Sequence, residues 1–239
     1  MNTILDQEHG GYSKEITKDF FKNVYAYMFG ALTISGIIAF WAGTPEFFTK
    51  YFVNATQTGL SPLFYVVAFA PVGLGLLMQT MYNRLSLGLL MILFLVYSAL
   101  MGLSLSSIML VYAGSQIAMT FFVTAGAFAG MAILGYTTKT DLTKMGSLLY
   151  MVFIGMFIAG IANIWIKSNM MGFVIAVLGV FVFTGLTAYY MQQLKDTAKN
   201  QALSQVDRSK LALVGGLMLY ILFVNLFLSY SPSDSVELK

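Results

Sequence analysis

The fold is decided by two charge-free runs, SNMMGFVIAVLGVFVFTGLTAYYMQQL at residues 168–194 and LALVGGLMLYILFVNLFLSYSPS at residues 211–233. Crossing a hydrocarbon core of about 30 Å takes roughly 20 apolar residues in a helix, and each run reaches that length. The segment between the runs contains four basic residues, Lys195, Lys199, Arg208 and Lys210. Because basic residues close to helix ends hold a loop in the cytoplasm, the runs predict a transmembrane helical hairpin with a cytoplasmic loop.

The composition of the whole chain fits a lipid environment. Of the 239 residues, 58% are hydrophobic and 10% are charged, whereas ordinary soluble proteins contain about 25% charged residues. The absence of Cys excludes disulfides and thiolate metal sites. The net charge of +3 is spread over several loops, so the expected partner is the lipid bilayer and not nucleic acid.

Five further spans precede the hairpin. Residues 85–138 carry no charge and are long enough for two spans, which we expect to be separated around residues 112–116. The predicted spans run over about 23–43, 62–81, 87–111, 117–136, 146–166, 168–194 and 211–230. They form a seven-helix membrane domain over residues 23–230. A polar N-terminal tail at 1–22, which we expect to be frayed with a surface helix at its end, precedes this domain, and a short tail at 231–239 follows it. The sequence thus predicts an all-α integral membrane protein with a seven-transmembrane-helix bundle.

The basic residues also predict an orientation. Ten of the Lys and Arg residues fall on the side of the N-terminal tail, and only Lys50, Lys167 and Lys239 fall on the other. The positive-inside rule therefore places the N-terminus in the cytoplasm and the C-terminus outside. The first apolar run lacks an Ala-x-Ala-like cleavage site, so we expect no cleaved signal peptide.

The second span carries two local signals. Ser61 followed by Pro62 is typical of an N-cap and the first helical position, so the helix should begin there, after an external loop at 44–61. Pro71, near its middle, has no N–H to donate to the carbonyl of Val67. In a membrane that carbonyl needs another donor, from a neighbouring helix or from water.

Six short stretches carry a resemblance to a known family. They are VYAYM at 24–28, FAPVGL at 69–74, ALMGLSLSSIMLVY at 99–112, TFFVTAGAFAGMAILGYTTKTDLTKMGS at 120–147, FTGLTAY at 183–189, and LY with NLF at 219–227. In this order they resemble the bacterial branch of the Bax inhibitor-1 family. The resemblance implies a seven-helix protein of the bacterial inner membrane. It also implies calcium leak or modulation of cell-death and stress pathways, as in eukaryotic relatives, or association with a membrane-anchored ATP-dependent protease, as in some bacterial ones.

The resemblance further implies a site that this chain has changed. Relatives carry a pair of aspartates that share a proton and confer pH dependence on the leak, and this chain has Tyr190 and Leu222 at those positions. A basic residue that pairs with the aspartates in relatives corresponds to Arg84, which is also a simple positive-inside residue. Since a phenol and an aliphatic chain neither chelate calcium nor titrate near neutral pH, we expect the pH-gated calcium leak to be lost.

The polar residues inside the predicted spans are neutral. In the last two spans they are Thr184, Thr187, Tyr189, Tyr190, Gln192, Tyr220 and Asn225; elsewhere they include Asn163, Ser104, Ser106 and Ser107. We expect them to form hydrogen bonds between helices, each worth about 0.6 kcal/mol. The alternative is that they line a narrow hydrated path. Gly126 and Gly130 form a small-xxx-small pair for which we expect internal packing, with a homodimer seam as the alternative.

The sequence does not favour catalysis. No span contains the His-Glu-x-x-His helix of a metalloprotease or the two aspartates of an intramembrane protease, and we expect neither a catalytic residue, a metal nor a cofactor. Two non-enzymatic hypotheses remain. One is a regulator or interaction partner in membrane quality control or stress response; the other is an ion or small-solute leak through neutral polar residues.

Overall fold

The computed structural model describes residues 2–54, 56, 59–200 and 202–230, with side chains from residue 15 onward. Within these residues the chain is helical and forms no strand beyond an isolated bridge between Val53 and Leu60. The helices are α1 (Asn2–Ala42), α2 (Pro45–Phe52), α3 (Pro62–Met81), α4 (Leu87–Val111), α5 (Gly114–Thr137), α6 (Thr143–Ile166), α7 (Asn169–Lys199) and α8 (Gln205–Tyr230). All except the short α2 are long and apolar enough to cross a membrane, which confirms the predicted all-α class and its seven spans.

The first helix is longer than predicted. It begins at Asn2, well before the boundary predicted at residue 23, and continues without a break into the span. A surface helix was expected only at the end of this tail, and the helix instead extends over residues 2–22. Phe20 and Phe21 are buried at 1% and 8% exposure. These two apolar side chains anchor the segment to the rest of the protein, although the segment is polar overall.

One compact unit comprises Met1–Gly114 and Ala198–Tyr220, and therefore contains α1 to α4 and most of α8. Small residues bring its helices close together. A Cβ added at Gly102 of α4 would lie 2.7 Å from the carbonyl oxygen of Ser35 in α1, and one added at Gly216 of α8 would lie 2.6 Å from that of Val24. Such backbone proximity is typical of helix packing in membranes, where dispersion contacts replace the hydrophobic effect as the driving force.

Helix α3 confirms both predictions made for it. It begins at Pro62, and the hydroxyl of Ser61 accepts a hydrogen bond from the Phe64 N–H. Pro71 is buried within the helix. The carbonyl of Val67, which has no proline N–H to accept from, instead accepts a hydrogen bond from the Ser104 hydroxyl of α4 at 2.9 Å. A neighbouring helix thus supplies the missing donor.

The predicted external loop at 44–61 contains helix α2. Thr44 caps this helix by accepting a hydrogen bond from the Phe47 N–H, and Pro45 occupies its first turn. The ring of Phe52 packs edge-on against those of Phe48 and Phe64, with centroids 5.5 and 5.7 Å apart. Aromatic side chains of this kind are enriched where a membrane protein meets the headgroup region.

The other unit comprises Ser115–Thr197 and the end of α8 from Ile221, and so contains α5, α6 and nearly all of α7. Phe223 of α8 packs edge-on against Phe121 and Phe128 of α5, with ring centroids 5.4 and 5.5 Å apart. Gly135 of α5 lies directly against the backbone of Ala188 in α7. Helix α8 is the most buried of the seven spanning helices and α6 is the least.

The basic segment of the C-terminal hairpin is not the loop predicted for residues 195–210. Helix α7 continues to Lys199 and α8 already begins at Gln205. Ser204 caps α8 by accepting a hydrogen bond from the Asp207 N–H, and the Arg208 guanidinium donates to the carbonyls of Ala198 and Asn200, both at 3.1 Å. Charged side chains satisfy the open backbone groups of the helix ends, so the helices extend beyond the end of the hydrophobic runs.

The small-residue pair of α5 is placed differently from the prediction. Gly126 and Gly130 are both exposed, and a Cβ added at either would meet no atom within 4 Å. The expectation of internal packing is wrong. Glycines whose added Cβ would clash with a neighbouring helix include Gly102, Gly135, Gly146 and Gly216, and none of them belongs to the pair singled out in the sequence.

Candidate functional site

The end of α7 holds the turn between α5 and α6, residues 138–142, through the side-chain amide of Gln192. Its Oε1 accepts a hydrogen bond from the Leu142 N–H at 2.9 Å, and its Nε2 donates to the Thr140 carbonyl at 2.8 Å. One amide therefore satisfies a donor and an acceptor of a chain segment about fifty positions away. This bonding fixes the turn against α7.

One helical turn further along α7, Lys195 caps the C-terminus of α5. Its Nζ donates to the carbonyls of Tyr136 at 2.8 Å and Thr138 at 3.2 Å, and lies 5.9 Å from the centroid of the Tyr136 ring. A cation is favourable at this end of a helix because the last carbonyls carry partial negative charge. We call Gln192, Lys195 and the segment 136–142 the turn clamp.

Tyr189 of α7 lies beside the clamp and packs on the first turn of α6. A Cβ added at Gly146 would lie 2.5 to 2.6 Å from its ring atoms, so only glycine leaves room for this ring. The ring also packs edge-on against Tyr150 at 6.2 Å, and its hydroxyl is hydrogen-bonded to Gln193. The start of α6 is therefore fixed against α7 by packing as well as by hydrogen bonds.

The exposed side of the turn carries Asp141. Its carboxylate accepts a hydrogen bond from the Thr143 N–H at 2.9 Å. Hydrogen bonds from the Thr143 side chain and then its backbone lower the pKa of Asp141 from its ordinary value of 3.8. The ionised carboxylate is thus the form that the start of α6 stabilises.

The two positions that the family resemblance assigns to aspartates lie in the same compact unit. Tyr190 is half-buried on α7, and Leu222 of α8 is buried at 2% exposure. Neither position offers a carboxylate. Among the described residues there is no group of three or more His, Cys, Asp or Glu side chains placed to hold a metal ion.

Most other polar side chains in the spans bond within their own helix. The hydroxyls of Thr187 and Thr184 and the amide of Asn225 donate to carbonyls four residues earlier. Ser106 and Ser107 donate to carbonyls three residues earlier. Ser104 is different, because it also bonds to α3 through Val67. The structure therefore brings Gln192 and Ser104 into bonds between elements, and leaves the others paired locally.

Three remaining candidates have separate surroundings. The Tyr220 hydroxyl is fully buried and makes no hydrogen bond of normal geometry to a described residue, although the Ser35 hydroxyl is close enough to interact with it. Asn163 caps α6, since its backbone and side-chain oxygens accept from the N–H groups of Lys167 and Ser168. Arg84 is exposed in the turn after α3.

The spacing of Gln192 and Lys195 in the sequence is a signal for the clamp. Gln192 and Lys195 are three residues apart, a spacing that puts both side chains on one face of a helix. Long polar side chains on one face at the end of an apolar run are suited to bonding an adjacent turn. Lys195 had instead been assigned to a loop, and Gln192 to the polar residues inside the spans.

The comparison with protein families matches a model described as "Inhibitor of apoptosis-promoting Bax1" over residues 17–230. The chain belongs to the Bax inhibitor-1 family. This confirms the resemblance, and the matched range includes all seven candidate spans of this family member apart from the first residues of α1. The turn clamp, Tyr190 and Leu222 all lie within it.

Several bacterial proteins are similar to this Bax inhibitor-1 family member along most of their length. Inner membrane protein YbhL of Escherichia coli K12 is 38% identical over 208 residues, which is 86% of both chains. An uncharacterized protein of Borreliella burgdorferi is 39% identical over 213 residues, covering 89% of this chain and 90% of its own. An uncharacterized protein of Caulobacter vibrioides is 38% identical over 232 residues, covering 91% and 93%.

Proposed function

We propose that this Bax inhibitor-1 family member is a multi-pass protein of a bacterial inner membrane that acts by binding another membrane protein and has no catalytic activity. Its location is supported by the similarity to YbhL, which is named an inner membrane protein. The proposed role is regulation of membrane quality control or of a stress response. The proposed partner class is a membrane-anchored ATP-dependent protease.

The observation that carries the proposal is the chemistry at Tyr190 and Leu222. The family scaffold is present over residues 17–230, yet the two positions at which relatives place a proton-sharing carboxylate pair carry a phenol and a buried alkyl chain. A phenol and an alkyl chain at these two positions neither bind a calcium ion nor titrate near neutral pH. A scaffold retained without its charged pair is better suited to binding a partner than to gated ion transport.

The test places a photo-crosslinking residue at Phe122 or Ile133, two exposed side chains of α5 that flank the open face with Gly126 and Gly130. Crosslinking in native membranes is followed by co-reconstitution with the membrane-anchored protease and a membrane substrate. We expect a crosslink to the protease and at least a roughly two-fold change in the degradation rate. Absence of both the crosslink and the rate change would reject the proposed partner and role.

A leak through neutral polar residues is the second candidate function. It is favoured by one observation, the buried Tyr220 hydroxyl that lacks a normal hydrogen bond, close to Ser35. Buried polar atoms of this kind are commonly satisfied by water. A hydrated path would then pass close to Tyr220 in the unit that contains α1 to α4.

The leak is tested with purified protein in liposomes. We expect ion flux that does not change between about pH 6 and 8, since no carboxylate pair titrates there. The double variant Tyr190→Asp with Leu222→Asp should add a pH-dependent component. A calcium flux that titrates in this range in the unchanged protein would contradict the reasoning about both positions, and no flux at any pH would exclude the leak.

A further inference from the structure

A groove of about 580 Å³ runs between α6 and the first turns of α7. Its volume is in the range of small-molecule binding sites. Ser168 is the polar residue among its described lining residues, and the rest of the lining is apolar. The residues that shape it include Gly155, Met156, Ala159, Met170, Val174 and Leu178.

The dimensions of the groove match one leaflet of a bilayer. Its lining on α7 extends from Ser168 to Leu178, and ten residues of helix rise about 15 Å. That is about half of a 30 Å hydrocarbon core, which is the depth reached by the acyl chains of one leaflet. The groove therefore begins at the membrane interface and ends near the middle of the bilayer.

The groove opens towards lipid and has adaptable walls. Most of α6 is exposed, because Gly146 and Met156 are its only buried residues, so much of its surface faces lipid. A Cβ added at Gly155 would meet no atom within 4 Å, so there is open space beside this lining residue. Met156, Met170 and Met171 line its sides, and methionine side chains adapt readily to the shape of a flexible ligand.

A cation stands at the interfacial end of the groove. Lys167 is exposed and directly precedes the lining residue Ser168. Its backbone is held in the left-handed region at φ 52°, where its N–H donates to the Asn163 carbonyl, and the Asn163 side chain accepts from the Ser168 N–H. The turn is therefore fixed by hydrogen bonds, and it places one positive charge and the positive end of the α7 dipole at the headgroup level.

We propose that this groove binds one acyl chain of an anionic phospholipid whose headgroup phosphate is held by Lys167. The length of the groove matches that of an acyl chain in one leaflet, so we expect an acyl chain to occupy it. The positive charge of Lys167 favours a lipid with an anionic headgroup. A juxtamembrane basic residue attracts anionic lipid by about 1 kcal/mol, which corresponds to roughly a five-fold preference. Trp165, 75% exposed two residues earlier, lies where tryptophan anchors helices at the interface.

The experiment is native mass spectrometry of the full chain in mild detergent, titrated with phosphatidylglycerol or with phosphatidylcholine of identical acyl chains. Gly155→Leu adds a side chain at a lining residue whose Cβ would meet no atom within 4 Å. Gly160→Leu is its control, because the Cβ of residue 160 also meets no atom within 4 Å and the residue lies on the same helix without lining the groove. Lys167→Asn removes the charge while asparagine tolerates a positive φ. Lys144→Asn, the control for it, removes an exposed charge from the opposite end of α6.

We expect the first lipid to bind with about a five-fold preference for phosphatidylglycerol. Lys167→Asn should abolish this preference, Gly155→Leu should weaken the binding of both lipids by at least about five-fold, and both controls should bind like the unchanged protein. Equal lipid binding by Gly155→Leu and Gly160→Leu would overturn the site, and a preference retained in Lys167→Asn would overturn the headgroup assignment. A dimer that Gly155→Leu dissociates would show instead that a second copy fills the groove.

A second readout uses the two tryptophans of the chain, Trp41 and Trp165. In a Trp41→Phe background, brominated phospholipids in vesicles quench Trp165 alone. We expect brominated phosphatidylglycerol to quench more efficiently than brominated phosphatidylcholine, and Lys167→Asn to equalise the two. Equal quenching before the substitution would contradict the proposal even if the variants prove difficult to purify.

Discussion

Replacing Gly135 by alanine places a methyl group against the backbone of α7. The added Cβ would lie 2.6 Å from the carbonyl carbon of Ala188 and 2.7 Å from its Cα, and closer still to the carbonyl oxygen. Real Cβ contacts are essentially never under 3.0 Å. The clash involves backbone atoms, which cannot move away by changing a rotamer, so α5 and α7 must separate locally.

The expected cost of Gly135→Ala is at the upper end of the usual range for an overpacked core, about 3 kcal/mol. For a chain of this size that corresponds to a melting temperature lower by roughly 6–12 °C. The separation would also pull the Tyr136 and Thr138 carbonyls away from Lys195, because they follow Gly135 directly. The assay is thermal unfolding of the purified protein in detergent.

Gly126→Ala is the matched control for Gly135→Ala. It is the same substitution on the same helix, and its Cβ would meet nothing within 4 Å. We expect it to melt no lower than the unchanged protein and about 2–4 °C higher at most, since replacing a helical glycine by alanine gains up to about 1 kcal/mol of helix propensity. If Gly135→Ala melted as high as Gly126→Ala, the close approach of α5 and α7 would be refuted.

Three further predictions concern hydrogen bonds. Gln192→Leu should lower the free energy of unfolding in detergent by about 1–2 kcal/mol, because it leaves the Leu142 N–H without its acceptor. Gln193→Leu should cost less, because the partner of Gln193 is on its own helix. Equal losses would exclude the clamp. Ser104→Ala should be destabilising in the unchanged protein and less so in a Pro71→Ala background, where residue 71 regains an N–H for Val67; a double-mutant cycle without coupling would contradict this. Because the pKa of Asp141 is lowered in the folded state, its stabilising effect is present above the ordinary value of 3.8 and is lost as pH falls through the folded-state value; the melting difference between the unchanged protein and Asp141→Asn should therefore shrink in acid.

The spans were predictable from the sequence because membrane helices are set by the length of charge-free runs. The bounds predicted for α3 and α4, 62–81 and 87–111, match the structure because Ser61 and Ser86 mark their starts as N-caps. The predicted helix bounds are wrong at the start of α1, the end of α7 and the start of α8. At these places the apolar run stops at charged residues, but the helix continues through them. In these places side chains such as Arg208 and Ser204 bond to the helix ends, and hydropathy does not record those bonds.

The candidate site was predictable only in part. The polar residues of the spans were identified by type, and Gln192 was among them. Its partners, Leu142 and Thr140, lie about fifty residues away in sequence, and only the close packing of α5 on α7 brings them together. The glycines that permit such packing could not be told from the open pair Gly126 and Gly130, because the side of a uniformly apolar helix that faces protein is not marked by polarity.

The double-aspartate variant also loses packing at Leu222, so its effect on ion flux needs a control that loses the same packing. This side chain is 2% exposed, so an aspartate there would be buried and must be protonated or paired to be tolerated. Leu222→Asn, combined with Tyr190→Asn, buries polar groups of similar size but cannot titrate. Flux that depends on pH with the aspartates and not with the asparagines would assign the dependence to carboxylate chemistry, because both variants lose the same packing. Flux that rises equally in both variants and ignores pH would show that the substitutions merely loosen the helices, and that Tyr190 and Leu222 do not stand in for a gating pair.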